Sequence, residues 1–390
     1  MLGRKRRVFW IGSWFLVAAG GVLIMLGVAG KRPDRKFQSE SVDDESTNVE
    51  QRLAGMSAEE RVGQLIALPS TLASGSTVMV IKPGFVGLFG VEEKKPEEVR
   101  AEVERIKREA TASGGMVPLV LVDQEGGRVQ RLKEGFVDLP SWEEVCETKN
   151  LEGVRSCAGE LGRELKNVGV DGVWGPVVDR TNPESVIMKG RTCSDEPGKI
   201  VEGASAYIEG LNDAGVLSVV KHFPGLGGVS ADPHREFGSV GEVDWEVFGQ
   251  LLPMRLADGL MGVMVTHVGV GGDRLPCSAS GKCLAELTQR RCDEWGCKLL
   301  FTDALEMKAV ADRLSPAEAA YQAIMAGEDV LVYGAEEGGQ EQLQVFEKLV
   351  ELYKTDGELA KKVDEAVGRI LRVKILTNQG GKFGEETGSN

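Results

Sequence analysis

The sequence predicts an α/β fold, a single (β/α)₈ barrel of the TIM type with an N-terminal transmembrane helix and a linker in front of it. Eight short runs rich in Val, Ile, Leu and Phe alternate with longer helix-like stretches over most of the 390 residues. Ionisable residues follow several of these runs directly, and one uncharged apolar segment lies near the N-terminus. Continuous apolar runs are typical of parallel strands buried on both faces, and regular βα alternation is typical of such barrels.

The first element is the apolar segment from Val8 to Gly30, which follows a basic cluster at Arg4–Arg7. As a helix, this segment is long enough to span the roughly 30 Å hydrocarbon core of a bilayer. The basic flank predicts that the N-terminus stays in the cytoplasm, so the rest is expected outside it as a membrane-anchored domain. A cleaved signal peptide is the alternative, with Gly27–Ala29 as the small-residue cleavage site, and the domain would then be secreted.

Composition sets the remaining boundaries. Residues 31–50 are polar, charged and nearly free of large apolar side chains, which predicts a flexible linker after the 1–30 anchor. Residues 51–376 form one continuous globular region, and residues 377–390 are predicted to be a flexible tail. Because no second linker divides the globular region, we expect a single barrel domain, and we expect it to be a monomer.

Strands are expected at the apolar runs, and helices at the amphipathic stretches between them. The expected strands are Gln64–Leu68, Phe85–Phe89, Pro118–Val122, Gly172–Trp174, Leu217–Val220, Gly262–Val265, Leu299–Phe301 and Asp329–Tyr333. The expected helices are Pro96–Ala110, Val201–Ala214, Pro316–Ala326 and Gln340–Leu352. Ser57 and Glu60 have the spacing of a capping box, which predicts a helix beginning after Ser57. A doubly wound sheet is the alternative arrangement of the same elements.

Charge and composition exclude some functions. The net charge of −14 argues against nucleic-acid binding, because a protein needs a basic patch to neutralise phosphates. No CxxC pair or His/Cys cluster indicates a metal site, and we expect neither a metal nor another cofactor.

Seven cysteines are present, and export would place them in an oxidising compartment where disulfides form. Short sequence separations suggest the pairs Cys146–Cys157, Cys277–Cys283 and Cys292–Cys297, which leaves Cys193 over. The alternative is that several are free buried thiols, since connectivity does not follow from sequence.

In a (β/α)₈ barrel the active site lies at the C-terminal ends of the strands, so residues after the apolar runs are candidates. The third run is followed by Asp123, the fifth by Lys221 and His222, the sixth by His267 and the seventh by Asp303. A rigid strand end suits Asp303 to catalysis. The alternative for Asp303 is a helix N-cap, which Asp often provides at a βα turn.

The remaining histidine of the chain, His234, lies in the segment SADPHRE after the fifth apolar run. Asp232 precedes His234 by two residues, so its carboxylate can accept a hydrogen bond from the imidazole across Pro233 and orient the ring. The alternative is an ordinary Asp-Pro turn.

Seven motifs follow one another between Met56 and Leu376: DQEGGRVQRL, PVVDR, GRTCSDEP, KHFPGLGG, DPH, THV and TDALEM. The series resembles family 3 glycoside hydrolases, and within them the NagZ-type β-N-acetylhexosaminidase branch. That branch carries DQEGGRVQR, a KHFPGHGDT loop followed by D-S-H, and a [ST]D-D-L-x-M segment. The resemblance implies a retaining exo-β-N-acetylglucosaminidase that acts on β-linked N-acetylglucosamine in cell-wall glycans such as peptidoglycan.

The resemblance also implies a role for each matched residue. Asp303 matches the nucleophile, His234 the general acid/base, and Asp232 its partner in the dyad. The residues expected to hold the sugar hydroxyls and the N-acetyl group are Asp123, Arg191, Lys221 and His222. Supporting roles are expected for Arg128, Asp179 and His267. Imidazole titrates near neutral pH, which suits a group that must give and then take a proton.

Four residues depart from the family pattern. Leu226 and Gly228 replace a histidine and an aspartate of PGHGD, Pro233 replaces the serine of the dyad segment, and Cys193 replaces an aromatic residue near Arg191. None of these changes removes a named catalytic group. Two other functions stay open. One is a glycoside phosphorylase on the same fold, because a histidine acid/base does not repel phosphate. The other is a membrane-anchored glycan-binding protein without catalysis.

Overall fold

The computed structural model describes residues 40–379, except residues 74, 113, 186, 230, 254–259, 293, 297 and 335–338. A compact unit begins at Val49. The expected membrane segment from Val8 to Gly30 lies outside the described residues. Within the described part of the chain, no helix is both long and apolar enough to cross a bilayer.

Eight parallel strands form the barrel, and we number them in chain order. They are β1 (Ile66–Pro69), β2 (Phe85–Leu88), β3 (Leu119–Val122), β4 (Gly172–Val177), β5 (Leu217–Phe223), β6 (Met261–Val265), β7 (Leu299–Thr302) and β8 (Leu331–Val332). The strands pair in the order β7-β6-β5-β4-β3-β2-β1-β8. A parallel bridge between Phe301 of β7 and Val330, which precedes β8, brings the two ends of the sheet together. The barrel is therefore nearly closed, which confirms the (β/α)₈ prediction and excludes the doubly wound sheet.

Helices surround the strands, and the four expected from amphipathic spacing are present. Their observed bounds are Pro96–Ala112, Pro197–Asp213, Pro316–Ala326 and Gln340–Thr355. The predicted capping box forms at helix Ala58–Gln64, where the amide of Glu60 donates to Ser57 Oγ and the amide of Ser57 donates to Glu60 Oε2. The other described α-helices are Glu40–Gly55, Gly75–Ile81, Trp142–Thr148, Leu151–Asn167, Trp245–Leu251, Gly281–Arg290, Lys308–Ala311 and Gly357–Gln379, and a 3₁₀ turn spans Cys277–Ala279.

Both segments expected to be flexible are partly helical. Helix Glu40–Gly55 covers the second half of the expected 31–50 linker. Val49 of this helix is only 4% exposed and belongs to the barrel core, and Leu53 packs against the same core. The last helix continues past Thr377, whose hydroxyl donates to the Val373 carbonyl at 3.0 Å. The residues after Gln379 lie outside the described part.

The three-pair disulfide scheme is partly wrong. Cys277–Cys283 forms as predicted, but the second disulfide is Cys146–Cys193, and Cys157 is a free thiol. The two cysteines of the unexpected pair are 47 residues apart, so they meet through tertiary packing that short sequence separation does not reveal. Cys292 is disulfide-bonded, and its predicted partner Cys297 lies outside the described residues.

Large apolar side chains fill the barrel interior. Phe85 of β2 and Phe301 of β7 meet edge to face with their ring centroids 5.3 Å apart. Trp174 of β4 occupies space left by Gly87 of β2, because a Cβ at that glycine would lie 2.4 Å from the Trp174 ring. Since the interior is packed, polar groups collect at the ends of the strands, and a site is expected at the C-terminal mouth.

Candidate active site

The predicted site residues lie at the C-terminal mouth of the barrel, at or after the ends of five consecutive strands. In strand order they are Asp123 after β3, Asp179 and Arg191 after β4, Lys221 and His222 at the end of β5, Asp232, His234 and His267 after β5 and β6, and Asp303 after β7. Arg128 follows β3 in a short antiparallel ribbon of Gln124–Gly126 with Val129–Gln130.

One buried carboxylate organises the cations of the mouth. Lys221 is 2% exposed, and its Nζ lies 2.8 Å from Asp123 Oδ1 and 2.6 Å from Glu125 Oε1. Arg191 makes a two-pronged ion pair with the same Glu125, at 2.8 Å from Nε and 2.9 Å from a terminal nitrogen. Burial alone raises the pKa of Glu125, but Lys221 and Arg191 outweigh it and lower that pKa to about 2. The ionised Glu125 therefore holds the two cations side by side.

Two residues of this cluster were not among the sequence predictions. Glu125 lies two positions after Asp123 in the DQEGGRVQRL motif, and Arg131 lies at the other end of it. A terminal nitrogen of Arg131 is 3.9 Å from Asp123 Oδ2, and its other terminal nitrogen is 3.2 Å from Glu92 Oε1. The signal in the sequence that pointed to both residues was that the motif places further charged side chains close to Asp123. The ribbon that carries them is too short to show the two-residue alternation typical of a strand.

A bulge lets two adjacent residues of β5 serve the same site. Successive residues of a regular strand point to opposite faces, but the pairing of β5 with β6 shifts register between Lys221 and Phe223. The Nδ1 of His222 lies 2.7 Å from Asp179 Oδ2, which also accepts from the His222 amide at 3.1 Å. Asp179 Oδ1 accepts from the amide of Leu226 at 2.5 Å. Asp179 thus orients His222 and the loop after β5.

Asp303 is held as a carboxylate at the end of β7. The Thr266 hydroxyl donates to Oδ2 at 3.1 Å, and the Ala304 amide donates to Oδ1 at 2.9 Å. Burial raises the pKa of Asp303, but His267, His222, the Ala304 amide and His234 together outweigh it, so the pKa lies below its usual range. The next helix, Lys308–Ala311, has Met307 as its N-cap, so Asp303 is not a helix cap.

His267 lies behind Asp303 and is fully buried. Its Nε2 is 2.9 Å from the Ala304 carbonyl, which can only accept, so Nε2 carries a proton. Its Nδ1 is 2.7 Å from the Ser278 hydroxyl. Burial lowers the pKa of His267 despite the nearby Asp303 carboxylate. The position between Ser278 and Ala304 fits the supporting role expected from the sequence.

His234 and Asp232 form the expected hydrogen bond. Asp232 Oδ1 lies 2.9 Å from His234 Nδ1 and 3.0 Å from the His234 amide nitrogen. The imidazole side chain is 69% exposed. Because the carboxylate accepts from Nδ1–H, the Nε2 atom of His234 is the nitrogen left to exchange a proton with a ligand.

The loop that carries His234 is attached to the segment after β7, which contains helix Lys308–Ala311. The Ala309 amide donates to the Pro233 carbonyl at 3.2 Å. The guanidinium of Arg313 lies 3.8 Å from the ring centroid of Phe237, further along the same loop. These contacts bring His234 within electrostatic reach of Asp303, whose pKa it helps to lower.

The remaining expected residues and departures also fit this mouth. Arg128 is exposed and donates to the Ile187 carbonyl, in the loop that carries Arg191. Leu226, at the position of the replaced histidine, is buried in the apolar cluster beneath the loop. A Cβ at Gly228 would meet nothing closer than 3.7 Å, so the loop leaves room at this position for the first atom of a side chain. Within the described residues, no group of three His, Cys, Asp or Glu side chains is placed to hold a metal ion.

Comparison with known proteins shows the family to which the chain belongs. The family model "Glycosyl hydrolase family 3 N terminal domain" matches residues 57–373. "Beta-hexosaminidase LpqI" of Mycobacterium tuberculosis (strain ATCC 25618 / H37Rv) is 34% identical over 277 residues, which cover 68% of this chain and 70% of the relative.

Solved structures are also similar to this fold. A glycoside hydrolase family 3 β-N-acetylglucosaminidase from Paenibacillus sp. str. FPU-7 superposes with a TM-score of 0.75 at 25% identity, over 83% of this chain and 63% of that one. "Beta-glucoside phosphorylase BglX" superposes with a TM-score of 0.74 at 25% identity, over 86% of this chain and 61% of that one. The chain thus spans less than two thirds of either structure. Because the family model covers most of the barrel, the protein belongs to glycosyl hydrolase family 3, as a glycoside hydrolase of the β-N-acetylhexosaminidase type.

Proposed function

We propose that this protein is a retaining exo-β-N-acetylglucosaminidase that releases terminal N-acetylglucosamine from cell-wall-type glycans such as peptidoglycan. One observation carries the proposal. Asp303 is held as a carboxylate at the mouth, and the loop carrying the hydrogen-bonded pair Asp232 and His234 is attached to the same side of that mouth. A nucleophile and a separate acid/base are the two groups that a retaining glycosidase needs.

In the first step, Asp303 attacks the anomeric carbon while the bond to the leaving oxygen breaks. His234 gives its Nε2 proton to that oxygen, and a glycosyl-Asp303 ester remains. In the second step, water attacks the same carbon, Nε2 takes a proton from the water, and Asp303 leaves as a carboxylate. Asp232 stabilises the imidazolium form of His234 and fixes its ring orientation.

The charged cluster supplies groups for sugar recognition. Lys221 and Arg191 provide donors, and Asp123 provides acceptor oxygens, at the side of the mouth next to His222. Because Glu125 pairs with both cations in advance, these donors are oriented before the sugar arrives. Hydroxyl and N-acetyl groups of N-acetylglucosamine suit this mixture of donors and acceptors.

We further propose that the catalytic domain acts outside the cytoplasm as a monomer. The Cys146–Cys193 and Cys277–Cys283 disulfides support this location, because disulfides persist in oxidising compartments. The segment from Val8 to Gly30 would anchor the domain, or direct its secretion if it is cleaved. Fractionation of cells, followed by detection of the intact N-terminus in the membrane fraction, distinguishes the two.

Phosphorolysis is the second candidate. His234 adds no negative charge when neutral, so a phosphate anion could approach the glycosyl-enzyme in place of water. The similarity to a solved β-glucoside phosphorylase favours testing this reaction. In a buffer that contains phosphate, a phosphorylase forms N-acetylglucosamine 1-phosphate. A hydrolase forms free N-acetylglucosamine both with and without phosphate.

The proposal is tested by hydrolysis of p-nitrophenyl β-N-acetylglucosaminide with the full-length protein and two variants. We expect Asp303→Ala to lower kcat by more than about 1,000-fold, because the covalent route is lost. We expect His234→Ala to lower it by only about 10- to 100-fold, because p-nitrophenolate leaves with little protonation. Negligible effects of both substitutions would refute the assignment, and binding without turnover would identify a glycan-binding protein.

A further inference from the structure

The Cys146–Cys193 disulfide joins the loop of Arg191 to the body of the barrel. Cys193 lies two residues after Arg191, and Cys146 lies in helix Trp142–Thr148, with the two Cα atoms 5.4 Å apart. Nothing in the reaction proposed above uses this bond. Its place beside a substrate-binding residue raises the question of what it contributes.

The loop is closed on itself at its base. The Thr181 amide donates to the Ser194 carbonyl at 2.8 Å, and the hydroxyls of Thr181 and Thr192 lie 2.9 Å apart. Within the loop, the Arg191 amide donates to the Met188 carbonyl at 2.9 Å. These contacts shape the loop from within. The bond from Arg128 to the Ile187 carbonyl and the buried side chain of Met188 attach the middle of the loop to the barrel, and the disulfide attaches the part that follows Arg191.

The helix at the other end of the disulfide is fixed to the barrel. Trp142 is buried, and its indole nitrogen donates to the Val177 carbonyl at the end of β4 at 3.0 Å. The Trp142 ring also contacts Tyr207 edge to face, with centroids 5.2 Å apart. Cys146 is thus one turn of helix away from a rigid anchor, so its sulfur provides a fixed point for the loop.

A glycine gives the disulfide its space. A Cβ at Gly203, in helix Pro197–Asp213, would lie 3.3 Å from Cys193 Sγ and 3.6 Å from Cys146 Sγ. The backbone of that helix therefore backs the disulfide closely. Helix Trp142–Thr148 on one side and helix Pro197–Asp213 on the other leave the sulfur atoms little freedom to move.

We propose that Cys146 and Cys193 are positioning residues that preorganise sugar binding by fixing the backbone of the Arg191 loop. This inference rests on the proposed function, in which Arg191 helps to hold the N-acetylglucosamine ring. The ion pair of Arg191 with Glu125 fixes the tip of a long side chain, whereas the disulfide fixes the loop from which that side chain starts. Without the bond, ligand binding must also order the loop, which lowers affinity without changing the groups that react.

The test compares the full-length protein with Cys146→Ser/Cys193→Ser and with Cys157→Ser, a matched control that alters a free thiol in the same apolar cluster. We expect the double variant to raise KM for p-nitrophenyl β-N-acetylglucosaminide about tenfold, with kcat changed by no more than about threefold. We expect Cys157→Ser to leave both constants unchanged. An unchanged KM in the double variant of an active enzyme overturns the inference.

A double-mutant cycle shows whether the effect passes through Arg191. In an Arg191→Ala background the two serine substitutions should raise KM no further, because the side chain that they misplace is already absent. If the two effects on KM instead multiply in full, the disulfide acts by another route and the inference fails.

Hydrogen–deuterium exchange separates this inference from the proposed function, because it needs no turnover. Amides in residues 181–194 should exchange faster in Cys146→Ser/Cys193→Ser than in the wild type, and at the wild-type rate in Cys157→Ser. If the wild type hydrolyses no N-acetylglucosaminide, the proposed function fails, and N-acetylglucosamine affinity by calorimetry replaces KM in the comparison. Equal exchange rates in the loop overturn the inference whatever the activity.

Discussion

The carboxylate of Glu125 is shared between Lys221 and Arg191, and only 2% of its side chain is exposed. A buried ion cluster of this kind is stable only while every charge has its partner, because each charge has given up its hydration. The arrangement places two donors at fixed positions beside Asp123. In the proposed function, recognition of the sugar therefore depends, at the scale of single residues, on a side chain that does not itself need to touch it.

The pH dependence of stability follows from this cluster. The pKa of Glu125 in the folded protein is about 2, below its ordinary value of 4.5, so its contribution is complete above pH 4.5 and is lost as pH falls towards 2. That contribution is about 3 kcal/mol. Urea unfolding of the wild type should show this loss between pH 4.5 and 2, whereas Glu125→Gln should show a flatter dependence. Parallel curves for the two proteins would contradict the assignment of the charge to Glu125.

Sequence alone predicted the position of most of these residues at the mouth, because Asp123, Lys221, His222, His267 and Asp303 lie at strand ends once the barrel is recognised. Glu125 and Arg131 were missed. Their roles depend on a two-stranded ribbon with an irregular register between Gln124 and Gly126, and a pairing this short leaves no period in the sequence.

At the scale of elements, the segment that carries His234 is a loop fixed at several points. A two-residue pairing of Ser239–Val240 with Gly269–Val270 ends it, and the Pro233 carbonyl and the Phe237 ring contact the element after β7. A Cβ at Gly269 would lie 2.8 Å from the Phe237 ring, so only a glycine permits this close approach. His234, the proposed acid/base, is thus carried by a loop that the barrel holds in position.

Loss of the Arg313 contact should weaken proton transfer more than sugar binding. The stacking of Arg313 on Phe237 is worth about 1 kcal/mol. We expect Arg313→Ala to lower kcat about 3- to 10-fold for a β-linked disaccharide, whose leaving group needs a proton, and less for the p-nitrophenyl substrate. Arg290→Ala is the matched control, since Arg290 stacks on Trp295 beside the start of β7, away from the mouth. Equal losses for both substrates would argue against a role in placing His234.

The disulfide connectivity shows where element-level prediction fails. Sequence separation favoured Cys146–Cys157, yet Cys146 faces a loop 47 residues further along the chain. Only the packing of helix Trp142–Thr148 against the loop after β4 brings the two sulfurs together. The spacing of cysteines along the sequence does not reveal that contact.

At the scale of the whole molecule, a buried aspartate secures the closure of the barrel at its amino-terminal end. Asp329 precedes β8, is fully buried, and accepts from the Leu300 amide of β7 at 2.9 Å. Its two oxygens also accept from Arg291 at 2.8 Å and from Arg369 of the last helix at 2.9 Å. β7, β8 and the final helix therefore meet at one side chain.

Removal of this carboxylate should lower stability and spare recognition. We expect Asp329→Ala to lower the free energy of unfolding by about 3 to 5 kcal/mol, because Arg291 and Arg369 are left without a partner charge. Asp364→Ala, which breaks a more exposed ion pair with Arg61, should cost about 1 kcal/mol or less. Urea unfolding measures both changes, and KM should stay at the wild-type value in both variants. A large rise in KM for Asp329→Ala would contradict the separation of the two barrel ends.

The barrel itself was predictable because each strand must be apolar on both faces and each is followed by helix-like sequence. Composition alone does not reveal the helix Glu40–Gly55, whose sequence is mostly polar but whose Val49 and Leu53 pack in the core. The alternation of apolar strands and helices along the chain therefore specifies the barrel. Short and irregular strand pairings place the remaining residues of the candidate site.

The most direct test of the central claim is to trap the glycosyl-enzyme and find its point of attachment. A 5-fluoro-N-acetylglucosaminyl fluoride should label the full-length protein with one sugar, and peptide mass spectrometry should place that sugar on Asp303. The same treatment of Asp303→Ala should give no adduct. A sugar attached to another residue, or steady hydrolysis of the reagent with inversion and no adduct, would contradict the mechanism.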